Sequence, residues 1–229
     1  MFKSEVAYTP LNTVQRQGGD VALDRDAIVD AAFDLLAEGG LDAITARALA
    51  TRLGVRAGAL YYHLPDMAAL RDEMATRIVR RMLERVGEAA GLGWADLLRS
   101  AATTSRDTLL GHRDGALLVA GTYLLDDAAL RSLEVPLAAL VAQGFTPLDA
   151  QRALTTVNAF VVGHVIEEQQ RHDPVRGAAY TAERRRARLD PDAQPLTHAL
   201  SDEVAALPVE TFTWGVEAIV AGIGARRRA

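Results

Sequence analysis

The sequence contains no cysteine, which excludes disulfide scaffolds, thiol catalysis, iron–sulfur clusters and cysteine zinc sites. Lysine is almost absent as well: Lys3 is the only one among 25 basic residues, so arginine supplies nearly all the positive charge. No apolar run approaches the ~18 residues that a membrane-spanning helix needs, and the richest, Gly115 to Leu125, has 11. Strand-like alternation is nearly absent too. The sequence therefore predicts an all-α protein that does not span a membrane.

The composition is that of a globular protein. The chain has 229 residues, 49% of them hydrophobic and 24% charged, with a net charge of −5. This length fits one large domain or two small ones. The first 19 residues carry no charged segment followed by an apolar block, so we expect no secretory signal and a cytoplasmic protein. Residues 1–22 show no periodic pattern and contain Pro10, Gly18 and Gly19, which predicts a flexible arm.

Helical periodicity begins at Asp24. Ile28, Leu35 and Leu36 share one face of a first helix, which Gly39-Gly40 should end. A second helix follows, with Thr45 as its N-cap and Gly54 as its left-handed C-terminal residue. We expect a very short third helix at Arg56–His63, ended by Pro65, and a fourth after Asp66.

The remainder also predicts helices. Trp94–Leu110 is one, and Thr146 followed by Pro147 opens another that reaches about His172. The last runs from about Val209 to Arg226. The intervening residues, about 173–203, lack periodicity and predict a mobile loop. We expect a flexible arm (1–22), a three-helix unit (23–66) and a larger helical bundle (67–229).

The Leu53-Gly54-Val55 junction fits a helix-turn-helix because glycine permits the sharp turn between two short helices. The second helix of such a unit enters the DNA major groove. Between Ala43 and His63 there are three arginines (Arg47, Arg52, Arg56) and no acid, which favours contact with phosphates. The structural alternative is that these arginines form a solvated face and that Tyr61 and Tyr62 belong to the core.

Three spaced segments resemble the DNA-binding domain of the TetR family of repressors: Ile44–Ala50, Leu53–Val55 and Gly58–His63. A second resemblance, to the ligand-binding domain of the tetracycline repressors, runs through His112–Ala116, Gly121-Thr122, Gln143–Phe145 and Val165–Gln169. Together they imply a helix-turn-helix DNA-binding domain at 23–66 and a helical-bundle domain for ligand binding and dimerisation at 67–229. They also imply a homodimeric repressor that a small molecule releases from double-stranded operator DNA.

The resemblance also implies DNA-contacting residues. Arg47 falls where the tetracycline repressors read guanine, Thr45 would contact phosphate, and Tyr62 and His63 would face the DNA backbone. A structural role at the helix end is the alternative for His63. Many relatives carry a lysine where this chain has Met67, next to Asp66, so we expect weaker phosphate contact there. The full predicted set is Thr45, Arg47, Arg56, Ala57, Gly58, Ala59, Tyr61, Tyr62, His63 and Met67.

The polar residues that hold a magnesium–drug complex in the tetracycline repressors are mostly missing. Val119 stands where the resemblance places their metal-binding histidine, and valine offers no ligand to a hard cation. We therefore expect an apolar effector other than magnesium-tetracycline, with no cofactor and no metal. The predicted lining is Leu83, Ala101, Ser105, Val119, Thr122, Pro136, Ala159, Phe160, Gly163, His164 and Glu167.

Two other functions remain open. His164, Glu168 and His172 are spaced four residues apart beside Glu167, a pattern that would suit a transition-metal site in a helical enzyme, although a polar stripe of hydrogen bonds explains it as well. The chain lacks a nucleophile elbow and a phosphate loop, so we predict that it is not an enzyme. An effector-free DNA-binding or partner-binding protein is the other alternative. The helices ending near His172 and Arg226 would form the dimer interface, or else pack in the core of a monomer.

Overall fold

The computed structural model describes residues 23–120, 122, 127–173, 177–207 and 209–227. These residues form helices and connecting turns, with no strand among them. They separate into two compact units, one ending at Leu70 and the other beginning at Arg71. The predicted all-α architecture is confirmed; the predicted flexible arm, 1–22, lies outside the described residues.

The first unit contains a helix-turn-helix. Its elements are α1 (Arg25–Gly39), a 3-10 turn (Leu41–Ala43), α2 (Ala46–Leu53) and α3 (Ala57–Leu60). The Asp24 carboxylate accepts a hydrogen bond from the Ala27 N–H (2.8 Å) and caps α1. Ile28, Leu36, Leu49 and Leu60 are buried between these helices. The predicted third helix is shorter than expected, because Tyr61–His63 form a turn rather than a helix.

The second unit is a bundle of longer helices. Helix α4 (Met67–Gly87) begins in the first unit and continues into the second. The bundle continues with α5 (Trp94–Leu110), α6 (Gly115–Val119), α7 (Asp127–Ala142), α8 (Pro147–His172) and α12 (Val209–Arg227), with the short α9, α10 and α11 before α12. The Thr146 hydroxyl accepts from the Asp149 N–H (3.1 Å), so the predicted cap of α8 is confirmed.

Helices α5, α8 and α12 pack together as the centre of the second unit. Leu97, Leu98, Val161 and Val165 are fully buried there. No helix among the described residues is long and apolar enough to cross a membrane.

The segment for which we predict a mobile loop contains helical turns. A 3-10 turn (Gly177–Ala179) is followed by α9 (Ala182–Arg186), α10 (Pro195–Ala199) and α11 (Ser201–Ala206), and α9 packs on α11. Each of these helices has only five or six residues. A helix of one or two turns is too short to show a periodic apolar pattern, so periodicity could not predict these helices.

Candidate DNA-binding surface and effector cavity

The N-terminus of α2 is fixed by a local cap. The Thr45 hydroxyl accepts a hydrogen bond from the Ala48 N–H (3.2 Å), and Gly54 closes the helix with a positive φ of 69°. This positive φ is a backbone conformation that glycine adopts without strain. Arg47 lies in the first turn of α2 with its side chain exposed. The helix-turn-helix geometry predicted from the sequence is therefore present.

The turn after α3 exposes both tyrosines. Tyr61 is 51% exposed and Tyr62 is 90% exposed, which excludes the alternative that they belong to the core. Arg56, Ala57, Gly58 and His63 are exposed as well, and Ala59 is partly exposed. A Cβ added at Gly58 would meet no atom within 4 Å, so this part of α3 presents bare backbone to solvent. The two short helices and the turn after them thus form an exposed surface that presents tyrosine hydroxyls. At Gly58 a binding partner can approach the backbone closely.

Arg52 does not belong to the basic surface that the sequence suggests. Its guanidinium donates to Glu38 (Nη2–Oε2 2.5 Å) and lies 3.4 Å from an Asp34 oxygen, both on α1. The hydrogen bond from Arg52 lowers the pKa of the Glu38 carboxyl. Since this charge is neutralised within the domain, the positive charge of the exposed surface comes from Arg47 and Arg56.

The start of α4 is capped by its own acid. The Asp66 carboxylate accepts from the Ala69 N–H (2.8 Å), and Met67 is the first helical residue. A carboxylate in this position occupies a backbone donor that a phosphate would otherwise use. The weak phosphate contact expected from Met67 therefore has a second reason in Asp66.

The second unit holds a cavity of about 440 Å³ between α4, α5, α6, α7 and α8. Seven of the eleven predicted lining residues surround it: Leu83, Ala101, Ser105, Val119, Thr122, Pro136 and Ala159. The other four, Phe160, Gly163, His164 and Glu167, are not among its described lining residues. These four residues follow Ala159 along α8. Their spacing in the sequence does not reveal which turns of the helix face the cavity.

Other residues that line the cavity were not predicted. On α4, Val79, Met82 and Val86 line the cavity beside Leu83. They have the three- and four-residue spacing of a buried helix face, and this pattern alone does not distinguish a cavity wall from an ordinary core. On α8, the missed polar groups are Gln151, Thr155 and Asn158. Nothing in their spacing separates them from an ordinary exposed helix face.

The described cavity lining is apolar with a few neutral polar groups. Ser105 is buried, and the Thr122 hydroxyl donates to the Leu118 carbonyl (3.1 Å). No described lining side chain is a carboxylate or an imidazole. A hard cation such as Mg²⁺ is held by oxygen ligands, typically including carboxylates. To a magnesium–drug complex the described lining offers only neutral hydroxyl and amide oxygens.

The polar stripe on α8 is used for packing. Both oxygens of buried Glu168 accept from the Arg106 guanidinium (2.5 and 3.0 Å), and that guanidinium lies 5.3 Å from the centre of the Phe212 ring. The His164 ring lies 5.2 Å from the same ring, and burial lowers the pKa of His164. His172 Nδ1 is 2.8 Å from the Glu168 carbonyl oxygen. Among the described residues no group of three His, Asp or Glu side chains could hold a metal.

Helix α12 has two different sides. One side is buried against the other helices of the second unit and contains Phe212, Gly215, Val216 and Val220. The opposite side is exposed, with Trp214 at 75% and small residues beyond it: Ala218, Ala221, Gly222 and Ala225. An exposed aromatic beside small side chains leaves room for another helix to approach closely.

Two protein-family models match this chain, one mostly within each unit. Residues 28–74 match the model of bacterial regulatory proteins of the tetR family, and residues 87–227 match that of the tetracyclin repressor-like C-terminal domain. The chain is 34% identical over 205 residues to the tetracycline repressor protein class A from transposon 1721 of Escherichia coli, covering 90% of this chain and 92% of that one.

Solved structures agree with the family models. A possible TetR family transcriptional regulator from Streptomyces coelicolor A3(2) superimposes with a TM-score of 0.76 and 33% identity, covering 88% of this chain and 99% of that one. A class A TetR in complex with 5a,6-anhydrotetracycline and magnesium gives a TM-score of 0.62 and 32% identity, over 88% and 98% of the chains.

Proposed function

Because this chain belongs to the TetR family of bacterial regulatory proteins, we propose that it is a ligand-responsive transcriptional repressor. The observation that carries the proposal is the exposed surface of α2, α3 and the following turn. On it Arg47 and Tyr62 are presented to solvent in a helix-turn-helix whose hydrophobic residues are buried. Since its target is chromosomal DNA in a bacterium, we place the protein in the cytoplasm.

We assign direct base recognition to Arg47. A bidentate contact from arginine to guanine discriminates by roughly 1–3 kcal/mol. Gly58 and Ala59 let the protein backbone approach the bases, and Tyr61 supplies apolar contact to a thymine methyl group. The other predicted residues complete the proposed contact surface around the phosphates: Thr45, Arg56, Ala57, Tyr62, His63 and Met67.

We propose that the repressor is a homodimer that binds a palindromic operator. The exposed side of α12, with Trp214 and its small neighbours, and the exposed side of α8 would pair with their equivalents as a four-helix interface. Twofold symmetry in the protein requires twofold symmetry in the DNA, with half-sites ~34–36 Å apart.

The cavity supports a small, largely apolar and uncharged effector. Its volume of about 440 Å³ is within the range of small-molecule sites, and its described lining carries hydroxyl and amide groups but no ionisable side chain. The class A relative binds 5a,6-anhydrotetracycline with magnesium. The absence of a carboxylate or imidazole in the described lining argues against that mode for this protein.

Helix α4 couples the two events in this proposal. Its residues Val79, Met82, Leu83 and Val86 line the cavity, and the same helix begins at Met67, directly after the helix-turn-helix. An effector that binds more tightly when α4 is shifted would favour the state in which the two DNA-binding domains of the dimer do not match the separation of the half-sites. The shift is limited by the difference in effector affinity between the two states.

A DNA-binding titration tests the proposal. Fluorescein-labelled DNA from the regions flanking its own gene is titrated with the protein, and candidate apolar compounds are then added, alongside 5a,6-anhydrotetracycline with magnesium. Tight binding that an apolar compound relieves, while the magnesium complex does not, supports the proposal. Binding that no compound relieves favours an effector-free DNA-binding protein. No sequence preference, together with a monomer in solution, would contradict it.

The same sample tests the metal alternative. Isothermal titration with zinc and nickel should show no tight one-to-one binding, because Glu168 is already engaged by Arg106. Tight binding of either ion would favour the metal-dependent enzyme instead.

A further inference from the structure

A second cavity lies in the segment between α8 and α12, in a different part of the chain from the effector cavity. It has a volume of about 670 Å³ and is lined by Ala179 at the end of the 3-10 turn, by α9 and the residues on either side of it, and by α11. The residues that line it differ entirely from those of the effector cavity. We propose that this cavity is a binding site for an organic anion with an apolar body.

The cavity is cationic. Arg184, Arg185 and Arg188 line it, and none of its described lining residues is acidic. None of the three takes part in an ion pair among the described residues. Another arginine of α9, Arg186, forms an ion pair with Asp202 and is not among the residues that line the cavity. Three guanidinium groups without a carboxylate partner create a positive potential that attracts an anion.

One of these guanidinium groups has a buried donor without an acceptor. The Nε–H of Arg185 is inaccessible to solvent and makes no hydrogen bond in the described structure. A buried N–H without a partner costs free energy, and such groups are rare in folded proteins. Arg185 lines the cavity, and a carboxylate, sulfate or phosphate group bound there would be a partner for its guanidinium. Arginine is well suited to such groups because its planar donors can bind two oxygens at once.

Apart from Thr181, the rest of the described lining is aliphatic or aromatic. Leu189, Val204 and Ala205 line the cavity together with the Tyr180 side chain. A small inorganic ion would leave these surfaces uncovered, whereas an anion attached to a hydrocarbon or aromatic body would cover them. The combined chemistry is that of an amphiphilic organic anion.

The cavity is joined to the long helix α8. The Arg171 guanidinium lies 5.0 Å from the centre of the Tyr180 ring and donates to the Val204 carbonyl (3.4 Å). Tyr180 and Val204 both line the cavity. An anion bound there would therefore lie next to residues that contact a side chain of α8, the helix that also lines the effector cavity.

Calorimetric titration of the full-length protein tests the site. Sodium decanoate serves as the amphiphilic anion, 1-decanol as the uncharged match and inorganic phosphate as the anion without an apolar body. We expect Arg185→Gln to weaken decanoate binding at least about tenfold, since hydrogen bonds to charged groups are lost. Binding of 1-decanol should not change, and phosphate should bind far more weakly than decanoate.

Arg186→Gln is the matched control, because it removes one positive charge from the same short helix but not from the cavity. We expect it to change decanoate affinity by less than about twofold. A double variant, Arg184→Gln with Arg188→Gln, repeats the test at exposed positions where folding is not at stake.

Equal losses in the Arg185 and Arg186 variants would overturn the proposal, as would decanoate affinity that none of the cavity arginines affects. Phosphate binding as tight as decanoate binding would overturn the amphiphilic part. Operator binding by the Arg185 variant, measured separately, should be unchanged, so failure of this site is distinguishable from failure of the repressor function.

Discussion

Two arginines, one in each unit, have opposite surroundings. In the first unit, the side chain of Arg47 is exposed on α2 without a described partner. In the second unit, Arg106 is largely buried, binds both oxygens of Glu168 and stacks on Phe212. A guanidinium without a carboxylate loses only hydration when it binds DNA, whereas a paired guanidinium must first give up its partner. Exposure without a partner therefore suits the recognition role that we propose for Arg47, and the buried pair gives Arg106 a structural role.

Arg52 shows why sequence position alone does not separate these roles. It lies one helical turn and a half after Arg47 on the same helix, yet it is bound to Glu38 and Asp34 on α1. The second unit has a corresponding contrast. Arg99 and Glu217 form an exposed pair (2.7 Å) that lowers the pKa of Glu217, while Arg106 and Glu168 form a buried one.

The largest effect should come from the buried pair. Glu168→Ala leaves the Arg106 guanidinium buried without its partner, and we expect a loss of about 3–5 kcal/mol in the free energy of unfolding. Chemical denaturation measures it. Glu217→Ala is the control, because exposed pairs contribute roughly 0–1 kcal/mol. Equal losses in the two variants would show that burial of the Arg106 pair does not matter.

The next effect concerns the recognition arginine. Arg47→Ala should weaken binding to the specific operator by about 1–3 kcal/mol and leave binding to unrelated DNA nearly unchanged. Fluorescence anisotropy with both duplexes measures the two affinities. Arg52→Ala removes the same charge from the same helix, and because Arg52 is already neutralised it should cost much less. Should both variants lose specific binding equally, Arg47 would contribute charge and no base recognition.

Filling the effector cavity should separate DNA binding from release. Ala101→Leu places a larger side chain on the α5 wall of the cavity, and we expect the effector concentration needed for release to rise by at least about tenfold. Operator affinity without effector should stay the same. Ala138→Leu, on an exposed position of α7 that does not line the cavity, is the control. Unchanged release in the Ala101 variant would place the effector elsewhere.

The smallest effect is expected at the start of α4. Met67→Lys adds a cation beside the position of a DNA phosphate, so operator binding should tighten and its dependence on salt should steepen by about one counterion. Anisotropy titrations at several salt concentrations measure the slope. Met67→Gln controls for the loss of methionine. An unchanged slope in the lysine variant would mean that no phosphate approaches this corner.

Most of the first unit could be predicted from local sequence. The Thr45 cap, the Gly54 turn and the buried positions of α1 and α2 all depend on residues a few positions apart. Short-range hydrogen bonds and helical periodicity determine them, so a single sequence carries the information. The exposed residues of the helix-turn-helix follow directly, because they are the ones left over once the buried face is assigned.

The effector cavity was predicted only in part. Resemblance to relatives led to Leu83, Ala101 and Val119, but Gln151, Thr155 and Asn158 were missed, and four predicted residues farther along α8 are not among the described lining residues. Which turns of α8 face a cavity depends on how α4, α5, α6 and α7 pack against it. That packing joins residues far apart in the chain, and periodicity is silent about it.

The sequence by itself determined the helices, their caps, the helix-turn-helix and the family, because each of these depends on local spacing or on short motifs. The tertiary structure alone decided which charges are paired and which remain exposed, and it brought Arg184, Arg185 and Arg188 to an apolar cavity in a segment without periodicity. The physical reason is that an ion pair or a cavity is formed by side chains from separate helices. Their proximity is a property of the packed chain and of no single stretch of it.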